Sequence, residues 1–173
     1  MDMFDLVFER VIGHEGEFQD DHRDRGNWTG GEVGKGKLNG TKYGLAAMTY
    51  PDLDIKELTL DDAKAIYRRD WWCYLNMAQW PKAMQYQMFD AAINHGIGRA
   101  NQFIQWAVRV KEDGKVGPVT RAAVEAMDIN DLLFRFLAKR LRYFTEVKTW
   151  SAYSRGWSRR LAQCLEYAAE DNQ

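Results

Sequence analysis

The residues best suited to chemistry stand near the front of this 173-residue chain. An apolar stripe at Phe4, Val7, Phe8, Val11 and Ile12 has the spacing of an amphipathic helix over about residues 3–14. The run His14-Glu15-Gly16-Glu17-Phe18 falls where that helix stops. A carboxyl there meets the negative end of the helix dipole, and partial burial acts in the same direction, so Glu15 is expected to hold its proton more tightly than an ordinary acid. That is what a general acid needs near neutral pH. Nine residues on, Asp24 lies in a polar, solvated loop. One carboxyl that keeps its proton and one that stays ionised is the pattern of glycoside hydrolysis. The same spacing is also open to Glu15 being an ordinary surface acid.

Other constellations fail on spacing. Asp20-x-His22-x-Asp24 begins like a calcium loop, yet Arg25 and Gly31 occupy the positions where an EF-hand needs Gly and Glu. His14, His22 and His95 have no metal-ligand spacing, so no metal is expected. The string from Gly30 to Lys37 has no Ser or Thr after its lysines and no apolar strand before it, which excludes a phosphate loop. Cys73 and Cys164 have no neighbouring histidine in sequence to activate them, and two thiols suit a reducing compartment.

The elements that must position Glu15 and Asp24 are mostly helical. Nine of the fourteen glycines fall between Gly13 and Gly44, where no helical period survives, so about 16–44 reads as a long functional loop or a poorly regular β-hairpin lobe. Thr59-Leu60-Asp61-Asp62 caps a helix expected over 60–77, and Pro81 opens another over 82–95, broken by Gly96 and Gly98. Further helices are expected over 99–110, 120–127, 130–147 and 152–170. In the helix over 130–147, Leu132, Leu133, Phe136, Leu137, Leu141 and Phe144 form the apolar face. The fold class is therefore mainly α, with a small irregular glycine-rich or β lobe near the N-terminus.

Charge is uneven. Residues 1–62 hold 14 acids and 7 bases, whereas residues 63–173 hold 11 acids and 17 bases, so a formal charge of −1 splits as −7 and +6. Residues 135–160 carry eight bases against Glu146 alone, interleaved with Tyr143, Trp150, Tyr153 and Trp157. Such a surface suits single-stranded nucleic acid, an anionic envelope, or simply a solvated helix face. The acidic start lacks the basic and apolar stretches of a secretory signal, so the protein is expected to be made in the cytoplasm.

Several motifs in order resemble one family. His14-Glu15-Gly16-Glu17-Phe18, Asp24-Arg25-Gly26, Gly40-Thr41-Lys42-Tyr43-Gly44-Leu45 and Ala65-Ile66-Tyr67-Arg68-Arg69-Asp70-Trp71-Trp72 look like the N-terminal part of glycoside hydrolase family 108, the N-acetylmuramidases of phage endolysins and bacterial secretion systems. Phe89-Asp90-Ala91-Ala92-Ile93-Asn94-His95-Gly96, Asp113-Gly114-Lys115-Val116-Gly117-Pro118-Val119-Thr120 and Gly156-Trp157-Ser158-Arg159-Arg160 resemble the peptidoglycan-binding region that follows it. The resemblance implies a lysozyme-like helical bundle, with a muramidase region over 1–80 and a binding region over 81–173 packed as one compact unit. It implies Glu15 as general acid, Asp24 as stabiliser of positive charge at the anomeric carbon or as orienter of a water, and Thr41 as holder of that water. Tyr43, His22 and Asn94 are the expected substrate contacts, although Tyr43 can instead pack the lobe and His22 can stand in solvent. A carboxyl separation of roughly 6.5–9.5 Å would make the reaction inverting, and one near 5 Å retaining.

No organic cofactor is implied. The implied partner is the peptidoglycan glycan strand rather than nucleic acid, met by a monomer whose basic C-terminal helices contact an anionic envelope. A holin-type pore or a secretion system would carry it to the periplasmic wall. A lytic transglycosylase and a non-catalytic wall-binding protein are the alternatives. The sequence departs from the family at two places: Glu17-Phe18 stands for Gly-Tyr, and Arg25-Gly26-Asn27 for Pro-Gly-Gly.

Overall fold

The computed structural model describes residues 2–12 and 16–173, and these form two compact units, Met1–Leu75 and Asn76–Gln173. The chain is mainly α, as its periodicity implies, with one two-stranded sheet among the described residues.

In the first unit, α1 (Met3–Val11) is opened by Asp2, whose carboxylate accepts the Asp5 N–H at 2.8 Å. Its expected stripe is the buried one: Phe4, Val7, Phe8 and Val11 all face inward. The partner of this face is α2 (Leu60–Tyr67), opened by a reciprocal capping box between Thr59 and Asp62. Phe8 packs on Tyr67 with ring centroids 5.8 Å apart. Two ionic ties lock the pair: Lys64 Nζ lies 2.9 Å from Asp5, and Arg68 reaches Asp2 at 2.8 Å while its guanidinium covers the Phe4 ring at 4.2 Å.

The helix expected over 60–77 does not run through. After Tyr67 the chain winds into a π-helical segment, Arg68–Cys73, and a left-handed Asn76 then ends the winding. The wider turn puts Trp72 edge-on against Phe4, with centroids 5.4 Å apart, and leaves Cys73 exposed. Periodicity alone does not register a one-residue change of winding.

The glycine-rich stretch is the irregular lobe expected of it. Strands β1 (Thr41–Lys42) and β2 (Leu45–Ala46) pair antiparallel through a two-residue turn, Tyr43-Gly44, in which both residues have positive φ (51° and 75°). Isolated bridges join Gln19 to Thr41 and Trp28 to Leu38.

In the second unit, α3 (Lys82–His95) is the central element. It is buried continuously from Ala83 to Ala92 and packs against α4 (Ile97–Ala107), α6 (Ile129–Glu146) and α7 (Trp150–Asp171). Its bounds are those the sequence predicts. Gly96 alone separates α3 from α4, whereas Gly98, expected to break the helix, lies inside the first turn of α4. The short α5 (Pro118–Ala126) starts with proline at its first turn, where no N–H is needed. The loop before it is clamped by the buried Gln105, whose amide bonds Asp113, Lys115 O and the Gly114 N–H at 2.8–3.0 Å. On α6, five of the six expected apolar positions are buried, and Leu141 is exposed.

The second unit also contains a buried ionic knot. Arg140 on α6 is fully buried and donates to Asp90 of α3 at 2.8 Å, with both side chains out of solvent. Cys164 of α7 lies 3.5 Å from Arg140 and 3.7 Å from Asp90, and its thiol is pushed up to about 11, chiefly by burial. Arg140 therefore leaves the basic surface expected over 135–160 and becomes an internal tie. Burial also sets His95 titrating near 4 instead of 6.5, helped by the Arg140 guanidinium 3.3 Å away. The imidazole is ringed by Phe103, Tyr143 and Phe144.

Candidate functional site

Glu15, the expected acid, lies outside the described residues. Asp24 and Thr41, the other expected catalytic residues, are described, and the lobe that carries them converges on one side chain that the sequence does not single out. Asn27 is fully buried. Its Oδ1 accepts the Thr41 hydroxyl at 2.7 Å and a Gln19 amide N–H at 3.1 Å. Its Nδ2 donates back to Gln19 Oε1 at 2.7 Å and to the Asp21 carbonyl at 3.0 Å. Its own carbonyl accepts the N–H groups of Asn39 and Gly40 at 2.9 and 3.1 Å. The segment after Glu15, the Asp24 turn and the Thr41 strand are thus tied to one residue.

Asp24 is exposed and stands at the head of a 3-10 turn, Arg25–Asn27, where its Oδ1 accepts the Gly26 N–H at 2.9 Å. The turn is held from both sides. Asn27 N–H donates to Asp24 O, and Asp24 N–H donates to Asp21 O at 3.0 Å. Asp21 is itself gripped by the Arg23 fork at 2.8–2.9 Å, which drives its carboxyl far below the usual range. Asp24 is therefore an exposed carboxylate whose backbone is held at both ends and whose Oδ1 caps the turn.

Thr41 sits in β1 with its backbone bonded to Gln19 on both sides, at 2.8 and 2.9 Å. Because its hydroxyl proton is committed to Asn27, its oxygen lone pairs point elsewhere and act as an acceptor. Next to it, Tyr43 is half-buried. Its ring lies so close to Gly16 that any β-carbon at position 16 would overlap it. Tyr43 O accepts the Tyr67 hydroxyl at 3.1 Å, and Lys42 Nζ stands 5.5 Å from the ring centre. Gly40, with φ of 77°, carries the Phe18 ring against its α-carbon, so the ring that replaces the family tyrosine packs the lobe.

The remaining two residues differ in kind. His22 is largely exposed. Its backbone carbonyl accepts the Trp28 indole N–H at 2.9 Å, while its ring stands 4.0 Å from the Asp21 carboxylate. Asn94 belongs to the second unit, on the last turn of α3. There it donates to Asp90 O at 2.7 Å, accepts from Arg160 at 2.6 Å and lines a cavity of about 280 Å3. The signal for Asn27 was present in the sequence as a departure: it stands where the family pattern has a glycine.

A family model described as glycosyl hydrolase 108 matches residues 8–96. Nine chains of solved structures match, among them the structure of Brucella abortus SagA. It shares 25% identity and a TM-score of 0.80, and the match covers 98% of this chain and 95% of that one. No curated protein matches. The mainly α fold with its small β lobe is of the lysozyme-like class. With half of its length matched, from the middle of α1 through the lobe to the end of α3, the chain belongs to the glycosyl hydrolase 108 family.

Proposed function

We propose that this glycoside hydrolase is an N-acetylmuramidase that cuts the β-1,4 bond between N-acetylmuramic acid and N-acetylglucosamine in peptidoglycan. The observation that carries the reading is the Asn27 hub, which mounts the Asp24 carboxylate and the Thr41 hydroxyl on one rigid lobe directly after Glu15. Glu15 protonates the departing glycosidic oxygen. Asp24 accepts a proton from the attacking water or stabilises positive charge at the anomeric carbon. Thr41 Oγ1, its own proton fixed on Asn27, accepts the water's other hydrogen and so orients a lone pair at the sugar. Tyr43 offers a ring to the glycan beside this water. The chain then reaches the periplasmic wall through a holin-type pore or a secretion system.

The test is mass spectrometry of the muropeptides released by wild type, Glu15→Gln and Asp24→Asn proteins. Wild type is expected to release reducing-end muramic acid, Glu15→Gln to release nothing while keeping its helical circular dichroism, and Asp24→Asn to lose most activity. Clearing of the wall by Glu15→Gln at a rate comparable to wild type would overturn the assignment. Products ending in 1,6-anhydro-muramic acid, with Asp24→Asn little affected, would make the enzyme a lytic transglycosylase.

A further inference from the structure

The second unit carries a cluster of cations to which the hydrolytic site gives no role. A cleft of about 190 Å3 opens between α4 and α6. Its walls include two half-buried rings, Trp106 and Tyr143. Three cations crowd the indole: Lys139 at 5.1 Å, Arg135 at 5.2 Å and Arg142 at 5.7 Å from its centre. A fourth, Arg99, stands 5.0 Å from the centre of Tyr143. Ring quadrupoles offset only part of the repulsion among like charges so close together. One carboxylate answers, Glu112, 3.6 Å from Lys139. Glu146, at the end of α6, also lines the cleft and is exposed, and among the described residues it has no ion-pair partner. The cleft therefore combines excess positive charge and an aromatic wall with one acid left to take a cation.

That pattern selects a ligand. A polyphosphate would meet two carboxylates and have no use for Glu146. A small zwitterion with a short aliphatic chain satisfies every part. We propose that this cleft binds the peptide stem of peptidoglycan, whose diamino acid carries a carboxylate and an ammonium group at the end of such a chain. Arg99 and Arg142 take the carboxylate, Glu146 takes the ammonium on the same carbon, and Trp106 covers the methylenes that lead to it. The inference rests on the peptidoglycan reading and adds to it the part of the polymer that the second unit grips.

The test uses the whole chain and N-acetyl-L-Ala-γ-D-Glu-meso-diaminopimelate, whose only amine is that of the diamino acid, titrated by calorimetry. Saturable binding is expected. Arg99 and Arg142 are both exposed, so the double variant R99E/R142E should keep its circular dichroism and lose at least about tenfold in affinity. E146Q should weaken binding of the tripeptide and leave unchanged the binding of the same peptide acetylated on its amine. No saturable binding, equal binding by R99E/R142E, or a preference for poly(glycerol phosphate) or a single-stranded oligonucleotide over the tripeptide would each overturn the inference. Cleavage of peptide-free glycan oligomers is measured beside it. A protein that cleaves these but does not bind the tripeptide overturns this inference alone, whereas one that binds the tripeptide and cleaves no glycan overturns the hydrolase reading alone.

Discussion

Asn27 concentrates more of the lobe's hydrogen bonding than any residue the sequence points to. Replacing it with Ala leaves the Thr41 hydroxyl, the Gln19 amide and the Asp21 carbonyl to find new partners around a fully buried position. A loss of about 1–3 kcal/mol in urea unfolding is expected for Asn27→Ala, because buried polar groups left unpaired cost about that much. Thr41 is a cleaner probe of chemistry. Thr41→Val keeps the shape but removes the acceptor and one of the two hydrogen bonds on Asn27 Oδ1, which keeps its Gln19 donor, so unfolding should lose about 1 kcal/mol while wall clearing falls by about one to two orders of magnitude, as for a misplaced reactant. Thr41→Ser should restore most of the rate. A Val variant with full activity would show that the water is held elsewhere. At this scale the sequence is legible only where residue type implies environment. Asp24 in a polar loop is exposed, as its neighbours suggest. Asn27 in the same loop is buried, and asparagine among glycines reads as a turn residue whether it faces water or the core.

The elements follow their local signals wherever those signals are self-contained. Pro81 and Gly96 bracket α3, and Thr59 with Asp62 opens α2, so each boundary is written in the residues that form it. Thr59→Ala should cost about 1 kcal/mol, the usual worth of an N-cap, read by thermal or denaturant unfolding. Gly40→Ala should cost more, at least about 1–2 kcal/mol, since a β-carbon is disfavoured at a φ of 77°. It would also strike the Phe18 ring and the Gln19 carbonyl. Its wall-clearing rate should fall with its stability, because Gly40 leads directly into Thr41. The π-helical winding at Arg68–Cys73 was not legible, and neither was the placement of Gly98 inside α4. Both depend on what the helix packs against: Trp72 is drawn to Phe4 across the unit, and no pattern within six residues announces that.

For the molecule as a whole, the excess of positive charge in its rear half overstates the basic surface. Arg140 spends its charge on Asp90 inside the second unit, joining α3 to α6, with Cys164 of α7 against both. Removing one partner of a buried pair strands the other, so Arg140→Met should cost about 3–5 kcal/mol in unfolding free energy. His95 makes the same knot sensitive to acid. Its imidazole titrates near 4 in the folded protein against 6.5 in the unfolded chain, so the unfolded chain takes up this proton first as the pH falls. Stability from this group is complete above pH 6.5, declines between 6.5 and 4, and has been lost by pH 4. His95→Gln should flatten that part of the stability profile, and a decline just as steep in the variant would assign the effect to other groups. None of this is visible in the charge count, because an arginine in a basic run carries no mark of which way it faces.

The two thiols give this arrangement a practical use. Cys73 is exposed in the first unit, and Cys164 is buried in the knot of the second with its proton held up to about 11. An alkylating reagent at neutral pH should therefore modify the unaltered chain in two phases, one immediate and one gated by opening of the second unit. The slow phase is a clock for that opening, built into the natural sequence and read by intact mass without any label being introduced. It should run faster as the pH falls from 6.5 towards 4, once the thiol's own ionisation is allowed for, and a peptide stem seated in the cleft of the same unit should slow it.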